Sequence, residues 1–113
     1  MMEAKTPKEF FEKMLPVRFK PDKALGIDVA VQLNLTGADG GDWVIIIRDQ
    51  KLQVKEGTIP SPTLTLKIAE NDFMDIVNDK LSTEKAFFTG KINFEGNLSL
   101  ALKLKDAGFL GGT

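Results

Sequence analysis

The side chains able to do chemistry in this sequence are carboxylates, lysines, Arg18, Arg48 and a few hydroxyls, because His, Cys and Tyr are absent. Without His the chain lacks the side chain that titrates near neutrality, and with it the commonest general base and metal ligand. Ser/His/Asp and Cys/His nucleophilic arrangements are excluded outright. Thiolate metal sites and disulfides go with the missing Cys, which suits a reducing compartment. The densest carboxylate grouping is Asp72, Asp75 and Asp79, which helical spacing puts on one face. Paired carboxylates can hold a divalent cation or transfer protons. Here the first stands near an expected helix N-terminus, where negative charge is favourable, and the face opposes an apolar stripe. A solvated face therefore accounts for all three. The turn Gly37-Ala-Asp-Gly-Gly-Asp42 has neither phosphate-loop nor calcium-loop spacing. These residues point away from an enzyme, and no metal or cofactor is implied.

The cations are no more suggestive of a catalytic centre. Arg18, Lys20 and Lys23 fall in a short basic linker, where they could meet a carboxylate or phosphate head group or attract an anionic membrane surface. A solvated basic loop is the simpler account of them. With 15 Lys and Arg against 16 Asp and Glu, mixed along the chain, there is no nucleic-acid footprint.

The elements that must carry these residues can be read from the hydrophobic pattern. At 113 residues the chain suits one domain, 1–113, with 1–5 and 108–113 expected as loose ends. No apolar run is long enough to span a membrane, and the N-terminus lacks a secretory pattern, so a cytoplasmic protein is expected. Thr6-Pro7-Lys8-Glu9 reads as a capping box with Pro at the first helical position, and Pro16 and Pro21 are expected to end that helix. Ile27, Val29, Val31, Leu33 and Leu35 alternate with Asp28, Gln32, Asn34 and Thr36, predicting a strand with one buried and one wet face. Strands at 43–47 and about 51–55, joined by a tight turn near Asp49-Gln50, complete an antiparallel meander. After Pro60 and Pro62 a fourth strand carries Leu64, Leu66 and Ile68. A helical stripe at Phe73, Met74, Ile76 and Val77 follows, then a short helix capped by Ser82 and ended by Gly90. Ile92 and Phe94 mark a fifth strand, and Asn97 caps a last helix.

The fold class is thus α+β, with one face of a sheet covered by helices. In the last helix Leu98, Leu100, Ala101, Leu102 and Leu104 sweep an arc of about 200°, wider than a one-sided surface helix needs. Such a helix meets apolar material on more than one side: either sheet and neighbouring helix, or a cavity holding a ligand.

The run from Ala86-Phe87-Phe88-Thr89-Gly90-Lys91 through Gly96-Asn97 to Leu100-Ala101-Leu102-Lys103-Leu104 resembles the signature of the sterol carrier protein type-two (sterol-binding) domain, an AFF-x-GK-x-x-x-x-GN/D-x-x-LA-x-KL stretch. Asn71 to Val77 with Lys80-Leu81 resembles the helix before that signature, and Trp43 with its aliphatics resembles the second strand. The resemblance runs from about residue 5 to 105. It implies a five-stranded, mostly antiparallel mixed sheet packed against helices around an apolar tunnel. The expected cargo is a fatty acyl chain, acyl-CoA, isoprenoid or sterol-like molecule, bound without catalysis. Phe73, Ile76, Val77, Phe87, Phe88, Ile92, Leu98, Ala101 and Leu102 are candidates for the wall, although each would serve equally as core. The family often has Gln where this chain has Thr89, so Thr89 is a shorter group at an expected polar contact. The chain ends Phe-Leu-Gly-Gly-Thr, without a peroxisomal tripeptide, as expected of a stand-alone prokaryotic-type form. A lipid carrier, a scaffold or homodimerising module, and an accessory factor presenting a hydrophobic intermediate to a partner enzyme remain open, with transient membrane contact compatible with each.

Overall fold

Alternation over 29–36 and a continuous apolar run over 43–47 build the two central strands. The computed structural model of the chain describes residues 3–106, and within the last helix the side chains of Leu98 and of 104–106 lie outside the description. The strands are β1 (Val29–Thr36), β2 (Gly41–Arg48), β3 (Lys51–Glu56), β4 (Leu64–Ala69) and β5 (Ile92–Glu95). They form one sheet in the order β3-β2-β1-β4-β5. The β1–β2, β2–β3 and β4–β5 pairs are antiparallel, and β1–β4 is parallel. Asp49 and Gln50 join β2 to β3 with both φ angles positive, 55° and 61°, as a hairpin turn of primed type requires.

The helical layer is α1 (Pro7–Glu9), a π-helical turn over Phe10–Met14, α2 (Leu15–Arg18), a 3-10 turn at Pro21–Ala24, α3 (Glu70–Val77), α4 (Thr83–Phe88) and α5 (Leu98–Asp106). Thr6 caps α1 as expected, its hydroxyl accepting from the Glu9 amide at 3.1 Å. The Glu9 carboxylate reaches the Lys5 amide rather than that of Thr6. Pro16 does not end the first helix, contrary to expectation. A proline has no N–H to donate back one α-turn, and the chain absorbs this by widening to a π turn just before it, so helical structure continues to Arg18.

Val29, Val31, Leu33, Ile45, Ile47, Leu64, Leu66 and Ile68 are buried on the sheet's inner face. An aromatic cluster joins the helices to it. Phe11 packs on Trp43 at 4.6 Å and on Phe73 at 5.7 Å between ring centres, and Phe10 meets Phe73 edge-on at 5.6 Å. Residues 3–5, expected to be loose, are tied down. Ala4 is buried, and its backbone exchanges two 2.8 Å hydrogen bonds with the carboxamide of Asn78.

The outer face is not simply wet. The chain from β3 to β4 must cross β2 and β1, about 14 Å, to pair on the far side of β1. It does so as a strap from Gly57 to Thr63. Gln32, expected to face solvent, is buried beneath it. Its side-chain amide donates to the carbonyls of Trp43 (3.2 Å) and Gly57 (3.0 Å), and its carbonyl accepts from the Ile59 amide (3.0 Å). Val44 is buried on the same face. Thr63 secures the strap's far end, donating its amide to the Ala30 carbonyl and accepting from the Ala30 amide through its hydroxyl.

Candidate functional site: an apolar margin at the β5 edge

Phe73, Ile76 and Val77 of α3 are fully buried, with Phe73 inside the aromatic cluster. Towards β5 the apolar groups become progressively exposed. Ile92 and Phe94, opposite Ile68 and Leu66 in register, point to the helical side, with Ile92 buried and Phe94 half-buried. Phe87 of α4 meets Phe94 at 6.5 Å and is 39% exposed, while Phe88 beside it is 83% exposed.

Local sequence fixes α4. The Ser82 hydroxyl caps it by accepting from the Lys85 amide at 3.0 Å, Ala86 is buried, and Gly90 leaves it at φ 77°. Thr89 is exposed and donates its hydroxyl to the Lys85 carbonyl at 2.7 Å, so its polar group is occupied within its own helix.

After Gly96, the Asn97 side chain accepts from the Leu100 amide at 3.3 Å and starts α5. Leu100 and Ala101 are half-buried against the core, and Leu102 is 53% exposed. The Leu98 side chain lies outside the described residues. The helix lies beside the 3-10 turn at Pro21–Ala24, so it crosses from the β5 edge toward the start of β1.

The cations separate. Arg18, offered with Lys20 and Lys23 either for a head group or as part of a solvated loop, closes the end of α3. It donates to the Val77 carbonyl at 2.6 Å, stands 3.8 Å from Asp79, and lies over the Phe10 ring. Position 18 falls on α2 rather than in a linker, which turns the guanidinium inward. Lys20 and Lys23 are exposed. The three carboxylates also take separate roles. Asp72 pairs with Lys91 at 3.5 Å and Asp79 with Arg18, while Asp75 is exposed and only its backbone carbonyl is engaged, accepting from the amides of Lys80 and Leu81. Sequence reading missed Asn78 and Gln32, whose roles depend on segments distant in the chain.

The sequence profile of the SCP-2 sterol transfer family matches residues 12–107. The chain belongs to that family. It is 34% identical over 76 residues to hydroxysteroid dehydrogenase-like protein 2 of Mus musculus, covering 66% of this chain and 15% of that protein. Over 70 residues it is 30% identical to sterol carrier protein 2 of Homo sapiens, covering 62% of this chain and 13% of that protein. The chain thus spans a small part of the length of these relatives, one of which is named as a dehydrogenase-like protein. In fold it is similar to palmitated sterol carrier protein 2-like 2 of Aedes aegypti, with a TM-score of 0.74 and 23% identity, over 96% of this chain and 98% of that one. The mixed five-stranded sheet with a helical cover is therefore the SCP-2 fold, and the family is one of lipid binding and transfer. Among the described residues no helix is long and apolar enough to cross a membrane.

Proposed function

We propose that this chain, as a single domain, binds a hydrophobic lipid-like molecule without chemically altering it, between the sheet's inner face and the α4–β5–α5 margin. The observation that carries this reading is the outward gradient from buried Ile92 through half-buried Phe94 to Phe87 at 39% exposure. An apolar surface left partly open at one edge of an otherwise closed core is where apolar area remains to be covered. Leu100 and Ala101 of α5, half-buried against the same core, form the adjoining wall. Each ligand methylene removed from water there contributes about 0.8 kcal/mol, so a chain of eight to ten supplies roughly 6–8 kcal/mol before ordering costs. The absence of His and Cys and the separate ion pairs of Asp72 and Asp79 support binding without catalysis. Acyl chains, acyl-CoA, isoprenoids and sterol-like molecules all meet the chemical requirement.

Denaturing extraction of the purified protein followed by mass spectrometry tests the reading directly, with a co-purified lipid near one per chain expected. Titration of the delipidated protein with a fluorescent fatty acid gives the affinity. Phe87→Asp places a carboxylate at the margin and is expected to weaken that affinity at least about tenfold, since burying an unpaired charge costs several kcal/mol. Wild-type affinity in a variant that melts normally would remove Phe87 from the wall. A chain that is always empty and takes up none of the four lipid classes is not a carrier.

A further inference from the structure

Given lipid binding at the β5 margin, on which this rests, we propose that the site is a blind pocket with one mouth and an aromatic end wall. The packed rings of Phe11 and Trp43, backed by Phe73, form that wall and set the length of acyl chain the domain accepts. Register places four inner-face side chains in one row across the sheet: Trp43 of β2, Leu33 of β1, Leu66 of β4 and Phe94 of β5. The row closes towards β2. Phe94 is half-buried, Leu66 is buried and Leu33 is fully so. At Trp43 the layer is filled by rings. Phe11 lies 4.6 Å from Trp43 and 5.7 Å from Phe73, Phe73 meets Phe10 at 5.6 Å, and all four are buried. Rings held at these distances leave no gap for a chain to pass and cannot turn aside singly.

Beyond Trp43 the row ends at exposed Glu56 of β3, so it leaves the core at a carboxylate on that side and at a phenyl ring on the other. Along the strands the layer is bounded as well. Asp72 of α3 pairs with Lys91, next to Ile92, at one end, and Gly96 lies against Leu64 where α5 begins at the other. A tail entering at Phe94 therefore runs across the sheet. From β5 to β1 is two inter-strand spacings, about 10 Å. An extended chain advances about 1.25 Å per carbon–carbon bond, given the ordinary bond length and tetrahedral angle, so about eight bonds reach the wall. Affinity for saturated fatty acids is expected to rise about fourfold per methylene up to roughly ten carbons. It then levels off, because further carbons stay at the mouth.

Competition of saturated fatty acids, from octanoic to octadecanoic, against a fluorescent fatty acid reads the chain-length profile. Phe11→Ala is expected to move the wild-type plateau out by about three or four methylenes once the site has partly collapsed. Phe11→Leu, gentler on the core, moves it by about one. Trp43 is the only tryptophan, so its fluorescence reports what reaches the wall in the unaltered chain. Decanoic acid brominated at the tail end is expected to quench it several-fold more strongly than decanoic acid brominated beside the carboxyl. Equal quenching by the two bromo acids overturns the wall, as does a wild-type affinity that climbs steadily to octadecanoic acid. So does an unmoved plateau in a Phe11 variant that melts cooperatively. Each of those results requires a fatty acid to bind, so the carrier reading survives them. A wild-type chain that takes up no fatty acid of any length overturns both.

Discussion

Arg18 shows how one residue can be misread from its neighbours. In sequence it stands with Lys20 and Lys23 and looks like part of a cationic patch. In the fold its guanidinium donates to the last carbonyl of α3, where a cation also favours the helix dipole, and it approaches Asp79. The Asp79 contact, at 3.8 Å with the carboxylate half exposed, adds little, so most of its worth is the charged hydrogen bond. Arg18→Met is therefore expected to lower stability by about 2 kcal/mol in urea denaturation, while fatty-acid affinity stays at the wild-type value. An affinity loss without destabilisation would restore Arg18 to the head group. By contrast, Ser82, Asn97 and Gly90 were legible as caps because capping is decided within four residues of chain. The partners of Arg18 and Asn78 are 59 and 74 residues away, beyond the reach of local pattern.

Periodicity predicted every strand and the three later helices, since each buries one face and its apolar spacing records that. It failed at Pro16, where a local rule for ending helices competes with Phe11, Met14 and Leu15, all buried along the same helical run. Burying those side chains outweighs one lost hydrogen bond, and the π turn is the compromise. Periodicity also could not say which side of an over-wide apolar arc would be open. That arc gives half-buried Leu100 and Ala101 but exposed Leu102. The direction in which α5 leaves the sheet is set by Gly96, at φ 129°, where an added Cβ would lie 2.5 Å from Leu64 Cδ2 and 2.9 Å from the Thr63 carbonyl. Leucine can rotate away, but the backbone carbonyl cannot. Gly96→Ala is expected to cost about 2 kcal/mol or more, read as a lowered melting temperature, and to weaken lipid binding with it. A variant as stable as the wild type would mean that the turn into α5 is freely adjustable.

For the whole molecule, α+β class and strand count followed from the pattern, whereas the parallel β1–β4 pair and its crossing strap did not. Strand order depends on which edges meet, and an alternating sequence does not encode its neighbour. Gln32 is the residue through which topology could have been suspected, as the one long amide on a face otherwise marked by short polar groups and Asp28. Because it holds the strap at both Gly57 and Ile59 and also bonds the Trp43 carbonyl, Gln32→Leu removes this partner from three backbone groups at once. A loss of about 2–3 kcal/mol in urea unfolding is expected, with fatty-acid affinity retained because the strap lies on the face away from the helices. Wild-type stability would show that solvent replaces Gln32 without penalty. The crossing also orders events in time. The β1–β2–β3 hairpins close over short loops and can form first, but β4 finds β1 only once the strap has been laid across, and β5 only after β4. The half of the domain bearing α4, β5 and α5 is therefore expected to be the last to assemble and the first to open, read as the fastest backbone hydrogen exchange among the elements of the sheet and its cover. A lipid would then meet the domain at its most yielding margin, without the meander having to loosen.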